Sequence, residues 1–135
     1  MLRFPTNDTR TLTLSDGETL TVKARLTHGE VQEMFQRMYV QRDGQTVVSP
    51  HSSDALIIAY LLDWSAKNEH GNPVPLRGLS ASDVQDRLNA LDHESVLEIR
   101  DAIKQHEQAM RDELAALKKT AGGANASAPT SRSAA

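Results

Sequence analysis

The sequence predicts a mainly α fold: an N-terminal β-hairpin, then a four-helix domain around a central hydrophobic helix, then a disordered C-terminal tail. Three observations predict it. Ala55 to Leu62 is unbroken apolar sequence, so a helix built from it is hydrophobic on every side and must be wrapped by other elements. Apolar residues recur at three- and four-residue spacing in the segments before and after that run, which marks amphipathic helices. From Thr120 onward the residues are small and polar, with nothing to bury. The expected boundaries are an N-terminal arm at 1–8, one helical domain with its hairpin at 9–117, and the tail at 118–135.

Composition narrows the function classes. A chain of 135 residues with 39% hydrophobic content supports one modest core, and with aromatics at only 4% aliphatic side chains must fill it. The net charge of −3 gives no basic face for a phosphate backbone, so no nucleic-acid partner is expected. The absence of cysteine excludes a disulfide framework, a thiolate metal site and a cysteine nucleophile, and it fits a reducing cytoplasm. The longest apolar run falls well short of the ~18–20 residues that span a bilayer, and the amino terminus has no apolar signal core. A soluble protein with no membrane partner is expected.

Thr9 to Ala24 alternates aliphatic and β-branched residues on both sides of Asp16-Gly17, which reads as a hairpin with Leu12, Leu14, Leu20 and Val22 on one face. An isolated hairpin is marginal, so this one is expected to rest on the helices or to add to a sheet in a neighbouring subunit. Thr27 and Glu30 have capping-box spacing and open a helix through about Arg42, with Val31, Met34, Phe35, Met38 and Tyr39 on its apolar stripe. That stripe reads either as core packing or as an adaptable partner groove, because methionine changes shape readily. Asp43 to His51 reads as a loop, with Thr46-Val47-Val48 too short for a strand, and Ser52 or Ser53 is expected to cap the core helix at Asp54–Trp64. Ala66 to Leu79, broken by Pro73 and Pro75, is expected to be an ordered irregular loop.

Ser80 opens a short helix with Val84, Leu88 and Leu91 buried. Asp92-His93-Glu94 starts a longer one whose stripe includes Ile99, Ile103, Met110, Leu114 and Leu117. Arg100 and Lys104 are placed to pair with Glu94, Glu98 and Glu107. The stripe thins after Ile103, so the end of this helix is expected to project as an amphipathic arm able to pack on a second copy or a partner.

No residue pattern declares catalysis. His93-Glu94 and His106-Glu107 lack the second histidine of a zinc protease, since Leu97 and Met110 stand in those places. His93, Glu94 and Glu98 share a helix start, where the macrodipole already explains acidic residues. Asp54 and Asp63 bracket the core helix: a buried carboxylate there would have a raised pKa suited to acid–base work, whereas a solvated end would not. No phosphate-binding loop or nucleophile elbow is present. No enzyme activity, cofactor or metal is expected. Trp64 reads as core-edge packing or as a contact hot spot.

Four stretches together resemble a known family. They are Leu14-Ser15-Asp16-Gly17-Glu18-Thr19-Leu20, the Ala55–Leu62 block ending in Asp63-Trp64-Ser65, Gly71-Asn72-Pro73-Val74-Pro75-Leu76, and Glu98-Ile99-Arg100-Asp101-Ala102-Ile103 before His106-Glu107. Over about residues 10 to 115 this order is similar to the small tail assembly chaperones of long-tailed bacteriophages. The resemblance implies a mostly α-helical, non-catalytic protein of the infected cell's cytoplasm. It would bind the tape measure protein and keep its apolar helices soluble until tail tube subunits polymerise around it. The family's longer frameshifted product would place a slippery run near Lys118-Lys119 or Gly122-Gly123. Under this reading the partner-binding residues are Met34, Phe35, Met38, Tyr39, Trp64, Met110 and Leu114, and self-association through the last helix gives a homo-oligomer. A structural head–tail or tail completion protein of the virion and a small regulatory interaction module stand as alternatives.

Overall fold

Alternating threonines and aliphatic residues pair Thr9–Thr13 (β1) with Thr19–Lys23 (β2) in a regular antiparallel register that sets Leu12 opposite Leu20 and Arg10 opposite Val22. This is the expected hairpin, and Gly17 takes the positive φ of 91° that its turn requires. The structure, a computed structural model, describes residues 2–126. Leu20 and Val22 are buried, and Leu12 and Leu14 pack against the same core.

The capping box forms at Thr27: its hydroxyl accepts from the Glu30 amide at 3.1 Å, and the Glu30 carboxylate accepts from the Thr27 amide at 2.8 Å. Helix α1, His28–Met38, follows, but it stops before the expected end near Arg42. Tyr39–Arg42 (β3) and Gln45–Val48 (β4) form a second hairpin in place of the expected loop. Its turn has positive φ at both central residues, Asp43 (53°) and Gly44 (76°). Such turns match strand twist and favour Asp-Gly, so turn chemistry overrides the helical spacing of Tyr39.

The apolar run becomes helix α2, Ser52–Tyr60, but its last residues leave the helix as β5, Leu61–Trp64. The reason is the outer edge of β2, whose backbone groups pair with β5 (Leu20 with Trp64, Thr21 with Asp63, Val22 with Leu61). Neither Ser52 nor Ser53 caps α2. His51 occupies the cap position without a side-chain bond, and the buried Ser49 hydroxyl accepts the His51 amide at 3.1 Å.

Two more helices complete the fold. α3, Ala81–Asn89, is capped by Ser80 as expected, with Val84 and Leu88 buried. α4, His93–Ala126, runs beyond the expected domain end at 117; the rest of the expected tail, residues 127–135, lies outside the described residues. Of its expected charge pairs, Glu98 instead accepts the Ser15 hydroxyl at 2.6 Å and amide at 3.0 Å, while Glu107 pairs with Arg111 at 3.2 Å. Among the described residues there are four helices, as expected, making up 47% of the chain, but they stand beside a three-stranded sheet, β1-β2-β5, and the separate β3-β4 ribbon. The description mainly α therefore fits only loosely.

The core lies between the sheet and the helices. Leu20, Val22, Ala55, Ile57, Leu76, Leu88 and Ile103 are buried almost completely, and α2 contributes on nearly every side, as its unbroken apolar run requires. Fully burying each large aliphatic side chain contributes roughly 1.5–3 kcal/mol before chain entropy is counted.

Candidate functional site

The sequence-derived contact residues divide among three places. Met34 is buried and Met38 half-buried, both turned into the core rather than towards a partner. Phe35 and Tyr39 from the same stripe face outward, 49% and 44% exposed. Inside α1 the successive residues Met34 and Phe35 point about 100° apart, so the core takes the Met34 and Met38 side of the stripe and leaves Phe35 outside.

Phe35 and Tyr39 form an outer apolar surface with Val48. The Tyr39 amide donates to the Phe35 carbonyl at the helix end, and Val48, 64% exposed, lies directly across β3-β4 from Tyr39. A shallow groove of about 320 Å³ runs along this surface, lined by Gln32, Phe35, Gln36, Tyr39, Val40, Gln41 and Thr46. Gln41 donates to the Thr46 hydroxyl at 2.6 Å and stiffens one wall. The lining carries no charged side chain, so a polar but neutral rim surrounds two aromatic rings. Val48 was not among the sequence candidates. The signal that finds it is Asp43-Gly44 between two β-branched stretches.

Met110 and Leu114 lie elsewhere. Met110 is buried, and with Leu114 it lines a cavity of about 440 Å³ between α4, the segment after β2 and the N-terminal arm. Met110 and Leu114 thus line a different place from Phe35 and Tyr39. Beyond Leu114 the side chains through Lys119 are exposed, so this part of α4 projects from the body as the sequence implies.

Trp64 is a core-edge residue. Its indole N–H donates to the Val74 carbonyl at 2.6 Å and its ring packs against the core. Beside it, Asp63 Oδ1 accepts the amides of Leu76 and Trp64, both at 3.0 Å, while Arg77 lies 3.6 Å from Oδ2. The Leu76 amide chiefly holds the carboxyl below the ordinary range; burial opposes it, and Trp64 and Arg77 add to the lowering. A raised pKa for acid–base work at Asp63 is thus overturned: the carboxylate is a structural acceptor. Asp54 accepts from Gln85 at 2.7 Å and ties α2 to α3.

His106, weighed in the sequence only as part of a His-Glu pair, fills the apparent gap in the α4 stripe. It is buried, lies 2.9 Å through Nε2 from the Lys23 carbonyl oxygen, and meets Tyr60 edge-on with ring centroids 5.8 Å apart. Tyr60 donates to Glu107 at 3.2 Å; burial first, then the Glu107 carboxylate, pushes its phenol far above the usual range, so it stays a donor.

Among the described residues no cluster of His, Cys, Asp or Glu is arranged to hold a metal ion, and no helix is long and apolar enough to cross a membrane. No protein-family model matches the chain, and comparison with curated proteins and with solved structures finds no match.

Proposed function

We propose that this protein is a non-catalytic binding protein, a tail assembly chaperone of a long-tailed bacteriophage that holds the tape measure protein soluble in the host cytoplasm. The observation that carries the binding reading is the pair of exposed rings, Phe35 and Tyr39, in a groove lined by no charged side chain. Exposed aromatic groups beside a groove favour capture of an apolar helix, whose side chains exchange water for ring surface while the glutamines satisfy its polar edge. The resemblance in the Ala55–Trp64 block and the Gly71–Leu76 loop supplies the client's identity.

The test is co-expression with the tape measure gene expected just downstream, followed by a pull-down and a solubility assay. Under this reading the client becomes soluble and co-purifies. A client that stays insoluble and fails to bind removes the chaperone assignment, and recovery of the protein from purified virions favours a structural tail component instead.

A further inference from the structure

The three-stranded sheet has one covered edge and one open edge. At β5 the loop that follows closes over the strand, through the Trp64 indole on Val74, the Leu76 amide on Asp63, and a bridge between Lys67 and Pro73. At the other side, β1 has β2 as its only strand neighbour among the described residues. The hydrogen bonds from Leu14 N–H to the Glu18 carbonyl (2.8 Å) and from Ala24 N–H to the Asp8 carbonyl (2.9 Å) fix the phase of the ladder. Asp8, Arg10, Leu12 and Leu14 turn their backbone groups towards β2. By antiparallel alternation Thr9, Thr11 and Thr13 turn theirs to the open side.

Open edges are normally blunted by proline, lysine or a bulge. β1 has no proline, lysine or bulge, and its one charge, Arg10, is directed to Glu113 of α4 at 3.8 Å; three of its five residues are threonine, which favours strands, and the sheet's register shift falls between Thr21 and Val22, against β5. We propose that β1 pairs antiparallel with β1 of a second copy of this chain, about a two-fold axis at Thr11, to give one continuous six-stranded sheet. The sequence of the strand is self-complementary in that register. Thr11 faces Thr11, Thr9 faces Thr13, and each pair exchanges both backbone bonds. Arg10 of one copy falls opposite Leu12 of the other, so no like charges stand directly opposed; the two Arg10 side chains are diagonal neighbours, and each lies 3.8 Å from Glu113 of its own chain, which it shares with Arg25 at 3.9 Å. The outer face becomes a threonine surface running through Thr21, Thr11 and their equivalents in the second copy. The proposal is independent of which client the protein binds.

The test reads the mass of the full chain in solution. The unaltered protein is expected at twice the 14.8 kDa of the chain. Thr11→Lys sets two ammonium groups face to face across the axis and leaves every bond to β2 intact, so the mass should fall to that of one chain with unchanged far-UV circular dichroism. Thr11→Glu should do the same, and mixing the Lys and Glu variants should restore the dimer. Because the chain has no cysteine, Thr11→Cys should oxidise to a linked dimer while an exposed control, Gln36→Cys, does not. A monomeric unaltered protein overturns the proposal, and so does a dimer that survives both charge variants, since it must use another surface.

Discussion

Asp63 Oδ1 accepts the amide of Leu76 at 3.0 Å, across the loop that follows β5, and Leu76 is itself only 2% exposed. A side chain at the end of β5 thus seats an irregular segment whose apolar anchor belongs to the core. Asp63→Ala should cost about 1–3 kcal/mol, because two amides lose a charged acceptor. Chemical denaturation against the unaltered protein measures it; a loss no larger than that of Glu69→Ala, an exposed loop control, refutes the anchoring role.

The same carboxylate gives the fold an acid limb. The Asp63 pKa is depressed in the folded state, so its contribution is present above the ordinary value of 3.8 and is lost as pH falls through the lower folded value. Glu30 behaves alike: burial raises its pKa, but Lys23 and the Thr27 amide outweigh that and leave it below 4.5. Asp63→Asn should therefore destabilise the protein at neutral pH and match the unaltered protein in strong acid, where Asp63 is protonated. A stability difference that stays constant from neutral to strongly acid pH contradicts the charge argument.

His106 should prove a core residue. A carbonyl only accepts, so Nε2 must carry the proton it gives to Lys23. His106→Leu keeps the apolar volume but leaves a β2 carbonyl unsatisfied, and a loss of about 1–3 kcal/mol is expected in thermal or denaturant unfolding. A neutral or stabilising leucine would mean that water satisfies that carbonyl instead.

Much of the scaffold was legible in the residues, and the failures have physical causes. Thr27 with Glu30 and Ser80 with Asp83 reported helix starts correctly, because capping is a local bond between near neighbours. The Leu12, Leu20 and Val22 face was legible because strand periodicity is simple. The end of α2 was not: Leu61 and Leu62 suit a helix, and only the edge of β2, some forty residues away, pulls them into a strand. Tyr39 fitted the α1 stripe by spacing, and the Asp43-Gly44 turn that redirects it was passed over. Of the candidate site, Phe35 and Tyr39 remain on the surface, whereas Met34 and Met110 are buried, since spacing alone does not say which half of a stripe the core will take.

The second hairpin should depend on Gly44. At a φ of 76° a β-branched side chain meets its own backbone, and Gly44→Val should cost about 1–2 kcal/mol. The β3-β4 ribbon is a sheet by itself, so the loss should be local. Hydrogen exchange is expected to speed up from Tyr39 to Val48 while the Leu20 and Ile57 amides keep their protection. Uniform loss across the molecule would instead tie this ribbon to the global fold.

Client capture should follow the exposed aromatics and not the methionines. Phe35→Glu with Tyr39→Glu removes both rings from the groove at positions about half exposed, so folding should survive, with the melting temperature shifted by a few degrees at most. Removing aromatic hot spots of about 2 kcal/mol corresponds to a loss of roughly 30-fold in affinity for the tape measure protein, read by titration or by depletion from the pull-down. Met34→Glu sets a charge in the core, where the side chain is 8% exposed, and should unfold the protein outright. The two results separate a surface role from a packing role. If the Phe35 and Tyr39 double variant is folded and binds the client undiminished, the capture surface lies elsewhere, and the projecting end of α4 around Leu117, 54% exposed, becomes the place to look.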